Sequence, residues 1–238
     1  MPAPVIDVTL AAAPQGTYDN PTFRDETATE TTYSTAPDNY FTTVITSKVV
    51  ERIEGRTPGV PFFVWMAHKA PHLPLVPRSD HTALYPGPIA EPATFNEALL
   101  ARPEPIRATN VYNLNAPLSV LSLYGLWVGA QYTTARPTGV GKDAAPGGMT
   151  DQQKKEWGYQ ESAGDYGRTI AALDESVDTI VDTLAAEGIT NNTLIIFTAD
   201  NGWHMGDWGW YEKRRATEPS IRVPLILKWP AEIASPIV

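Results

Sequence analysis

The chain has 238 residues, 42% of them apolar and 19% charged, and a formal net charge of −9. This length and composition indicate a globular domain with its own core, and no stretch approaches the roughly 20 apolar residues of a membrane span. The negative charge argues against a nucleic-acid partner and is compatible with a bound cation, while the absence of cysteine excludes disulfides, thiolate metal sites and a cysteine nucleophile.

The first 60 residues begin with loops and continue into an amphipathic helix. Residues 1–40 are rich in Thr, Pro, Asp and Asn and predict loops with small strands such as VIDVTL at 5–10. The opening residues lack the basic and apolar segments that are typical of a signal peptide. Residues 41–54 carry apolar side chains on one face of a helix, and Gly55 is placed to end it.

A short apolar strand and a long irregular region follow. PFFVWMA at 61–67 predicts a buried strand, and its end leads into HKAPH at 68–72. Residues 73–150 are weakly periodic and rich in Pro and Gly. We interpret them as irregular excursions around the rim of a site, with a short helix near 117–127.

Regular structure returns in the last third of the chain. Helical order begins at about Asp151, and the periodicity predicts a helix over about 161–187. LIIFTA at 194–199 and the run at 224–228 predict two further strands. The alternation of strands and helices predicts an α/β fold with a mostly parallel sheet flanked by helices.

Polar side chains follow two of these predicted strands. His68, Lys69 and His72 follow the first, and Asp200 and Asn201 follow LIIFTA. Adjacent parallel strands would bring these ends into one crevice, although Asp-Asn-Gly alone is also ordinary turn chemistry. Carboxylate and amide oxygens suit a hard cation such as Ca²⁺ or Mg²⁺, and a histidine can protonate a leaving oxygen. Together these groups indicate hydrolysis of an anionic ester.

Three segments, in chain order, resemble the sulfatase family of the alkaline-phosphatase-like superfamily. They are PFFVWMAHKAPHLPLVP (61–77), TIAALDESVDTIVDTLAAEGITNNTLIIFTADNG (169–202) and GWHMGDWGWYEKRRATEPSIRVPLILKWP (202–230). QGTYDNPTF (15–23) and YPGPIAEPATFNEA (85–98) are most similar to N-acetylglucosamine-6-sulfatases and related glycan sulfatases. The resemblance implies an alkaline-phosphatase-like fold, hydrolysis of sulfuric esters, and a sulfated glycan or other sulfated small molecule as the substrate.

The resemblance also implies roles for individual residues. Asp200 and Asn201 match the ligands of an active-site Ca²⁺. Lys213 matches a lysine that contacts the sulfate group. His72 matches a histidine beside the ester oxygen, a candidate proton donor to the leaving alcohol.

The remaining matched positions have less direct expectations. His204 has two alternative roles, which are contact with the substrate and packing on a neighbouring tryptophan. Glu218 and Arg222 are expected to form an ion pair that fixes a loop. His68 and Lys69 are expected behind or beside the site rather than in the chemistry.

The chain departs from the family at the nucleophile. Sulfatases oxidise the Cys or Ser of a C/S-x-P-x-R motif to formylglycine, and here there is no cysteine and no serine that begins such a motif. The family's preceding aspartate pair is not found before residue 61, and the family continues beyond VPLILKWP into a C-terminal subdomain. We therefore interpret residues 1–238 as the central part of a sulfatase domain, with an incomplete calcium site and no activity by itself.

Two alternatives stay open at this point. A phosphate-ester hydrolase of the same superfamily would commonly need more His and Asp for two transition metals, and this chain has four histidines. A non-catalytic module that binds glycans would keep the crevice without the nucleophile. An upstream C/S-x-P-x-R motif would favour the enzyme over the binding module.

Overall fold

The structure is a computed structural model that describes residues 11–12, 16–36, 39–73, 75–97, 148–209, 211–213 and 216–233. The helices and strands are β1 (Ala11–Ala12), β2 (Thr22–Arg24), β3 (Glu30–Thr32), α1 (Phe41–Glu54), α2 (Asp151–Ala186), β4 (Ile195–Thr198), β5 (His204–Met205), β6 (Tyr211–Glu212), α3 (Glu218–Ile221) and β7 (Leu225–Lys228). Short 3₁₀ helices lie at Ser79–His81, Thr190–Asn192 and Asp207–Gly209. The elements predicted at 5–10 and 117–127 lie outside the described residues.

The chain divides into two compact units, each assembled from separate stretches. The first unit comprises Met1–His81, Arg168–Leu194 and Lys228–Val238, and the second comprises Thr82–Gly167 and Ile195–Leu227. The units are therefore not consecutive domains, because the polypeptide enters each of them more than once. Across the described ranges, every helix is too short or too polar to cross a membrane.

Helix α1 confirms the predicted helix at 41–54. Its buried face includes Phe41 and Val44, which form a core cluster with Phe23 of β2. The Phe23 and Phe41 ring centroids are 5.0 Å apart. Gly55 follows the helix with φ −81, so it ends the helix without a left-handed conformation. Arg56 supports this end, because its Nη1 donates to the Ile53 carbonyl at 2.8 Å.

Helix α2 is longer than the helix predicted over 161–187. It begins at Asp151 because Thr150 and Gln153 form a capping box. The Gln153 amide lies 3.3 Å from the Thr150 hydroxyl oxygen, and the Thr150 amide donates to Gln153 Oε1 at 2.9 Å. The helix ends before Gly188, whose φ of +66 is a left-handed conformation that glycine adopts without strain. The predicted end near Gly188 is confirmed.

In the first unit, α1 and α2 meet through small polar side chains. Thr46 Oγ1 donates to the Thr42 carbonyl at 2.6 Å and lies 2.6 Å from Ser176 Oγ. Since the Thr46 hydroxyl proton is already donated to Thr42, Ser176 must be the donor of the second bond. A pair of hydroxyl groups therefore joins α1 to α2 within the first unit.

The predicted strands at 194–199 and 224–228 are confirmed as β4 and β7, which are hydrogen-bonded neighbours. Thr198 Oγ1 donates to the Pro224 carbonyl at 2.8 Å, so the end of β4 lies beside the start of β7. Strands that meet in this way run antiparallel, and one such pair is compatible with a mostly parallel sheet. The length and β-branched content of LIIFTA predict a buried strand, and this was wrong, because Ile196 of β4 is 57% exposed. Leu225 of β7 is 68% exposed.

The strand predicted at 61–67 was also wrong, since the structure has no strand there. The exposure alternates along this segment as in a strand, and Phe63 and Trp65 are 59% and 82% exposed. A strand also needs hydrogen bonds to a neighbour, and these residues make none in a described ladder. The continuous apolar run predicted a strand, but composition does not supply the hydrogen-bonded partner that completes a sheet.

Candidate functional site

The loop that carries His72 is fixed by its own backbone and by Tyr18. The His72 amide donates to the Lys69 carbonyl at 2.7 Å, which closes a tight turn around the cis peptide between Ala70 and Pro71. The Tyr18 hydroxyl donates to the His72 carbonyl at 2.7 Å. The loop therefore holds His72 in one backbone position although it belongs to neither a helix nor a strand.

The ring of His72 has one nitrogen engaged within the loop. Nδ1 lies 2.7 Å from the Leu73 carbonyl, and a carbonyl can only accept, so Nδ1 carries a proton. In the neutral ring, Nε2 is then the basic nitrogen. The side chain is half-buried. This geometry suits a group that takes up or delivers a proton at Nε2.

The two residues before the turn are enclosed rather than placed at the surface. Lys69 is buried, its Nζ lies 5.2 Å from the centre of the Tyr18 ring, and burial lowers its pKa. Burial also lowers the pKa of His68 to about 4 from its usual 6.5, and its Nδ1 has no hydrogen-bond partner among the described residues. Both side chains are therefore enclosed by the protein, and their role beside the site stays a prediction.

The low pKa of His68 makes the stability of the chain depend on pH. Between about pH 6.5 and 4 the unfolded chain takes up a proton at His68 while the folded chain does not, so acid favours unfolding. We expect His68→Gln to lower the slope of unfolding free energy against pH by up to about 1.4 kcal/mol per unit in this window. Urea unfolding at several pH values measures this, and equal slopes for the wild type and the variant would contradict it.

The turn after β4 requires a glycine because two backbone segments approach closely. A Cβ built on Gly202 would lie 2.2 Å from the Pro219 carbonyl oxygen and 2.8 Å from that of Arg222. The Gly202 amide also donates to the Ser220 carbonyl at 2.8 Å. Asp-Asn-Gly is therefore more than a turn sequence, since its glycine lets the segment at α3 pack against the end of β4.

The same turn brings together two predicted site residues. Lys213 Nζ donates to Asn201 Oδ1 at 3.2 Å, and Asn201 Nδ2 donates to the Gly202 carbonyl at 2.8 Å. These two bonds fix the orientation of the Asn201 amide, whose oxygen faces the Lys213 ammonium group. The side chain of Asp200, next to it, is exposed. The turn thus presents a carboxylate and an amide oxygen beside an ammonium group.

His204, two residues after Gly202, is fully buried. Its Nε2 lies 2.8 Å from Thr217 Oγ1, and its ring centroid is 6.0 Å from that of Trp208. Trp208 has a φ of +53, and its amide donates to Thr94 Oγ1 at 3.0 Å. These contacts favour the packing alternative for His204. Thr217 and Trp208 are both in contact with His204.

Glu218 and Arg222 do not form the expected ion pair. Both side chains are exposed, and no salt bridge joins them. The link between the two residues is in the backbone, where the Arg222 amide donates to the Glu218 carbonyl at 2.9 Å and closes the single turn of α3. This bond holds the segment that packs against Gly202.

The donors at the turn after β4 fit part of a calcium site. Ca²⁺ takes six to eight oxygen ligands, and the Asp200 carboxylate and the Asn201 amide oxygen are of the right type. Within the described ranges, no group of three His, Asp or Glu side chains lies together as a metal site. A complete site would therefore need further oxygen ligands beyond these two side chains.

His72 belongs to the first unit, whereas Asp200, Asn201 and Lys213 belong to the second. The sequence argument that joined them at adjacent strand ends loses its basis, because 61–67 is not a strand. Their joint action stays a prediction from the family resemblance. Sequence reasoning also missed Tyr18, whose hydroxyl bonds to a backbone 54 positions away and leaves no pattern in the sequence.

Comparison with known proteins gives a consistent family. A family model described as Sulfatase matches residues 9–237. The chain is 27% identical over 217 residues to an N-acetylglucosamine-6-O-sulfatase of Bacteroides thetaiotaomicron, covering 82% of this chain and 39% of that protein. It is 30% identical over 229 residues to an arylsulfatase of Volvox carteri, covering 92% of this chain and 31% of that protein.

One solved structure extends this similarity to the fold. It is a protein in complex with its substrate D-glucosamine-2-N,6-O-disulfate, with a TM-score of 0.73 and 23% identity. The alignment covers 94% of this chain and 49% of the solved chain. The chain therefore spans less than half the length of each of these proteins.

Proposed function

Because the chain belongs to the sulfatase family, we propose that it forms part of a sulfuric ester hydrolase that acts on sulfated sugars. The observation that carries the proposal is the contact between Lys213 and Asn201 beside Asp200, since these are the three positions that match the family's sulfate and metal contacts. The sugar is supported by the relative named for N-acetylglucosamine 6-O-sulfate and by the substrate of the solved neighbour.

The second-unit residues would bind the charged end of the substrate. Asp200 and Asn201 would hold Ca²⁺, whose charge stabilises the sulfate oxygens when it is bound. Lys213 donates a hydrogen bond to the Asn201 amide oxygen, so it orients one metal ligand. Its remaining protons can be donated to a sulfate oxygen, because an ammonium group has three donors.

His72 would act on the other end of the scissile bond. Hydrolysis breaks the bond between sulfur and the sugar oxygen, and that oxygen must receive a proton to leave as an alcohol. His72 can carry this proton on Nε2, while its Nδ1 proton stays with the Leu73 carbonyl. The sulfur receives its new oxygen from a nucleophile that is not among the motifs of this sequence.

We also propose that the rest of the sheet in a complete protein of this fold runs mostly parallel. The apolar side chains of β4 and β7 support a larger sheet, because Leu225, Ile226 and Leu227 are all exposed here. Two-stranded sheets are marginal in isolation.

A binding module is the second candidate, since no Ser or Cys in the sequence begins a C/S-x-P-x-R motif. Such a module would keep Asp200, Asn201 and Lys213 for binding a sulfated glycan without hydrolysing it. It differs from the first candidate in one measurable property, which is turnover once a nucleophile motif is supplied.

The 238-residue chain by itself is expected to release no sulfate from an aryl sulfate or from N-acetylglucosamine 6-sulfate, since its groups can bind and polarise the ester but offer no nucleophile. Joined to a segment that carries the motif, it is expected to hydrolyse both. Ion chromatography of released sulfate measures this. Turnover by the chain alone that His72→Ala abolishes would contradict the first expectation, and a folded but inactive joined protein would favour the binding module.

A further inference from the structure

Tyr18 connects the start of α1 to the loop that carries His72. Its hydroxyl lies 2.7 Å from the His72 carbonyl and 3.4 Å from the Lys69 carbonyl, and only 2% of the residue is exposed. One hydroxyl has one proton to donate, and the shorter distance assigns it to His72. The Tyr18 hydroxyl therefore bonds to the backbone carbonyl of His72 and not to its imidazole ring.

Tyr18 is itself held in place from two directions. The Phe41 amide donates to the Tyr18 carbonyl at 2.7 Å, and this joins Tyr18 to the first residue of α1. On its other side, the Tyr18 ring lies 5.8 Å from the ring of Tyr40, which is equally buried. The Tyr18 hydroxyl is therefore a fixed donor, and the His72 carbonyl faces it.

The orientation of that carbonyl affects the His72 ring. The carbonyl of His72 and the amide of Leu73 form one rigid peptide plane, and the Leu73 carbonyl next along the chain accepts the Nδ1 proton of His72. Rotation of the plane would displace Leu73 and lengthen this bond. The Tyr18 hydroxyl thus acts on the ring through two backbone carbonyls.

We propose that Tyr18 is a positioning residue that keeps the proton of the neutral His72 ring on Nδ1 and leaves Nε2 as the reactive nitrogen. The inference rests on the catalytic role proposed for His72. It assigns Tyr18 no contact with the substrate. If Tyr18 only filled the core, its ring would be enough and its hydroxyl would not matter. Tyr18→Phe keeps the ring and removes the hydroxyl, so it distinguishes a positioning role from a packing role.

The test uses the full 238-residue chain labelled with ¹⁵N and long-range proton–nitrogen NMR of its four histidine rings. In Tyr18→Phe we expect the His72 ring to populate both neutral tautomers. The turn closed by the bond from the His72 amide to the Lys69 carbonyl should also open about fivefold more often, because one hydrogen bond that stabilises the loop is lost, and faster exchange of the His72 amide would report this. Tyr40→Phe is the matched control. It removes an equally buried hydroxyl, which donates to the Val76 carbonyl at 2.9 Å, and should leave the His72 tautomer unchanged.

An unchanged His72 ring in a folded Tyr18→Phe protein would overturn the inference. If Tyr18→Phe does not fold, the wild type decides: a slowly exchanging Tyr18 hydroxyl proton close to Leu73 supports the bond, and a rapidly exchanging one overturns it. These readouts need no turnover. Failure of the catalytic role would instead appear as undiminished hydrolysis by His72→Ala in the joined protein, whatever the ring signals show.

Discussion

Substitution of His72 by alanine is expected to lower kcat for hydrolysis of a sugar sulfate by about 10²- to 10⁴-fold, the usual contribution of a general acid. The measurement needs the chain joined to a segment with the nucleophile motif. A sugar alkoxide is a poor leaving group, so its departure depends on the proton that His72 Nε2 supplies. KM should change little, because the proton transfer stabilises the transition state more than the bound substrate.

The leaving group provides the control for this prediction. A nitrophenyl sulfate leaves as a stabilised phenolate and needs the proton much less, so His72→Ala should reduce its hydrolysis far less than that of the sugar sulfate. Steady-state kinetics on the two substrates makes the comparison. An equal loss for both would mean that His72 binds the sulfate group and does not protonate the leaving oxygen.

Replacement of Gly202 by alanine is expected to lower the free energy of unfolding by about 3 kcal/mol, at the upper end of the usual cost of overpacking. The reason is the 2.2 Å approach that the new Cβ would make to the Pro219 carbonyl oxygen. Both atoms involved are rigid parts of the structure, so relief requires the backbone of α3 to move. That movement would also stretch the bond from the Gly202 amide to the Ser220 carbonyl.

Gly87→Ala is the matched control for Gly202→Ala. Like Gly202→Ala, it adds one methyl group to a glycine of the second unit. At Gly87, however, the new Cβ would meet nothing within 4 Å. It should leave the stability unchanged or raise it by up to about 1 kcal/mol. Urea denaturation of both variants decides, and a Gly202→Ala midpoint equal to that of Gly87→Ala would show that the turn tolerates a side chain.

Much of the local structure was predictable from the sequence. Periodicity predicted α1 with its correct bounds, because side-chain spacing depends on local backbone geometry, and short apolar runs placed β4 and β7. The prediction of a strand from an apolar run failed at 61–67, because that segment has no sheet partner among the described strands. The predicted burial of β4 was also wrong, because burial depends on which other elements cover a strand.

The candidate site was predictable only in its residue types. Asp200 and Asn201 were predicted from their place after an apolar run and, like Lys213, from the family resemblance. The contact between Asn201 and Lys213 required a structure. Tyr18 had no pattern of its own, since a bond from a side chain to a distant carbonyl depends on the fold and not on neighbouring residues. The need for Gly202 came from an approach of α3 that no turn propensity describes.

A Ca²⁺ titration of the 238-residue chain, followed by NMR at the amides of Asn201 and Gly202, tests the proposed metal and sulfate site most directly. With two protein oxygens from this chain, we expect a dissociation constant of roughly 1 mM or weaker. Asp200→Ala should abolish the shifts, whereas Asp178→Ala, which removes an exposed carboxylate from α2, should leave them unchanged. Micromolar affinity, or shifts that survive Asp200→Ala, would contradict the assignment of this turn as an incomplete calcium site.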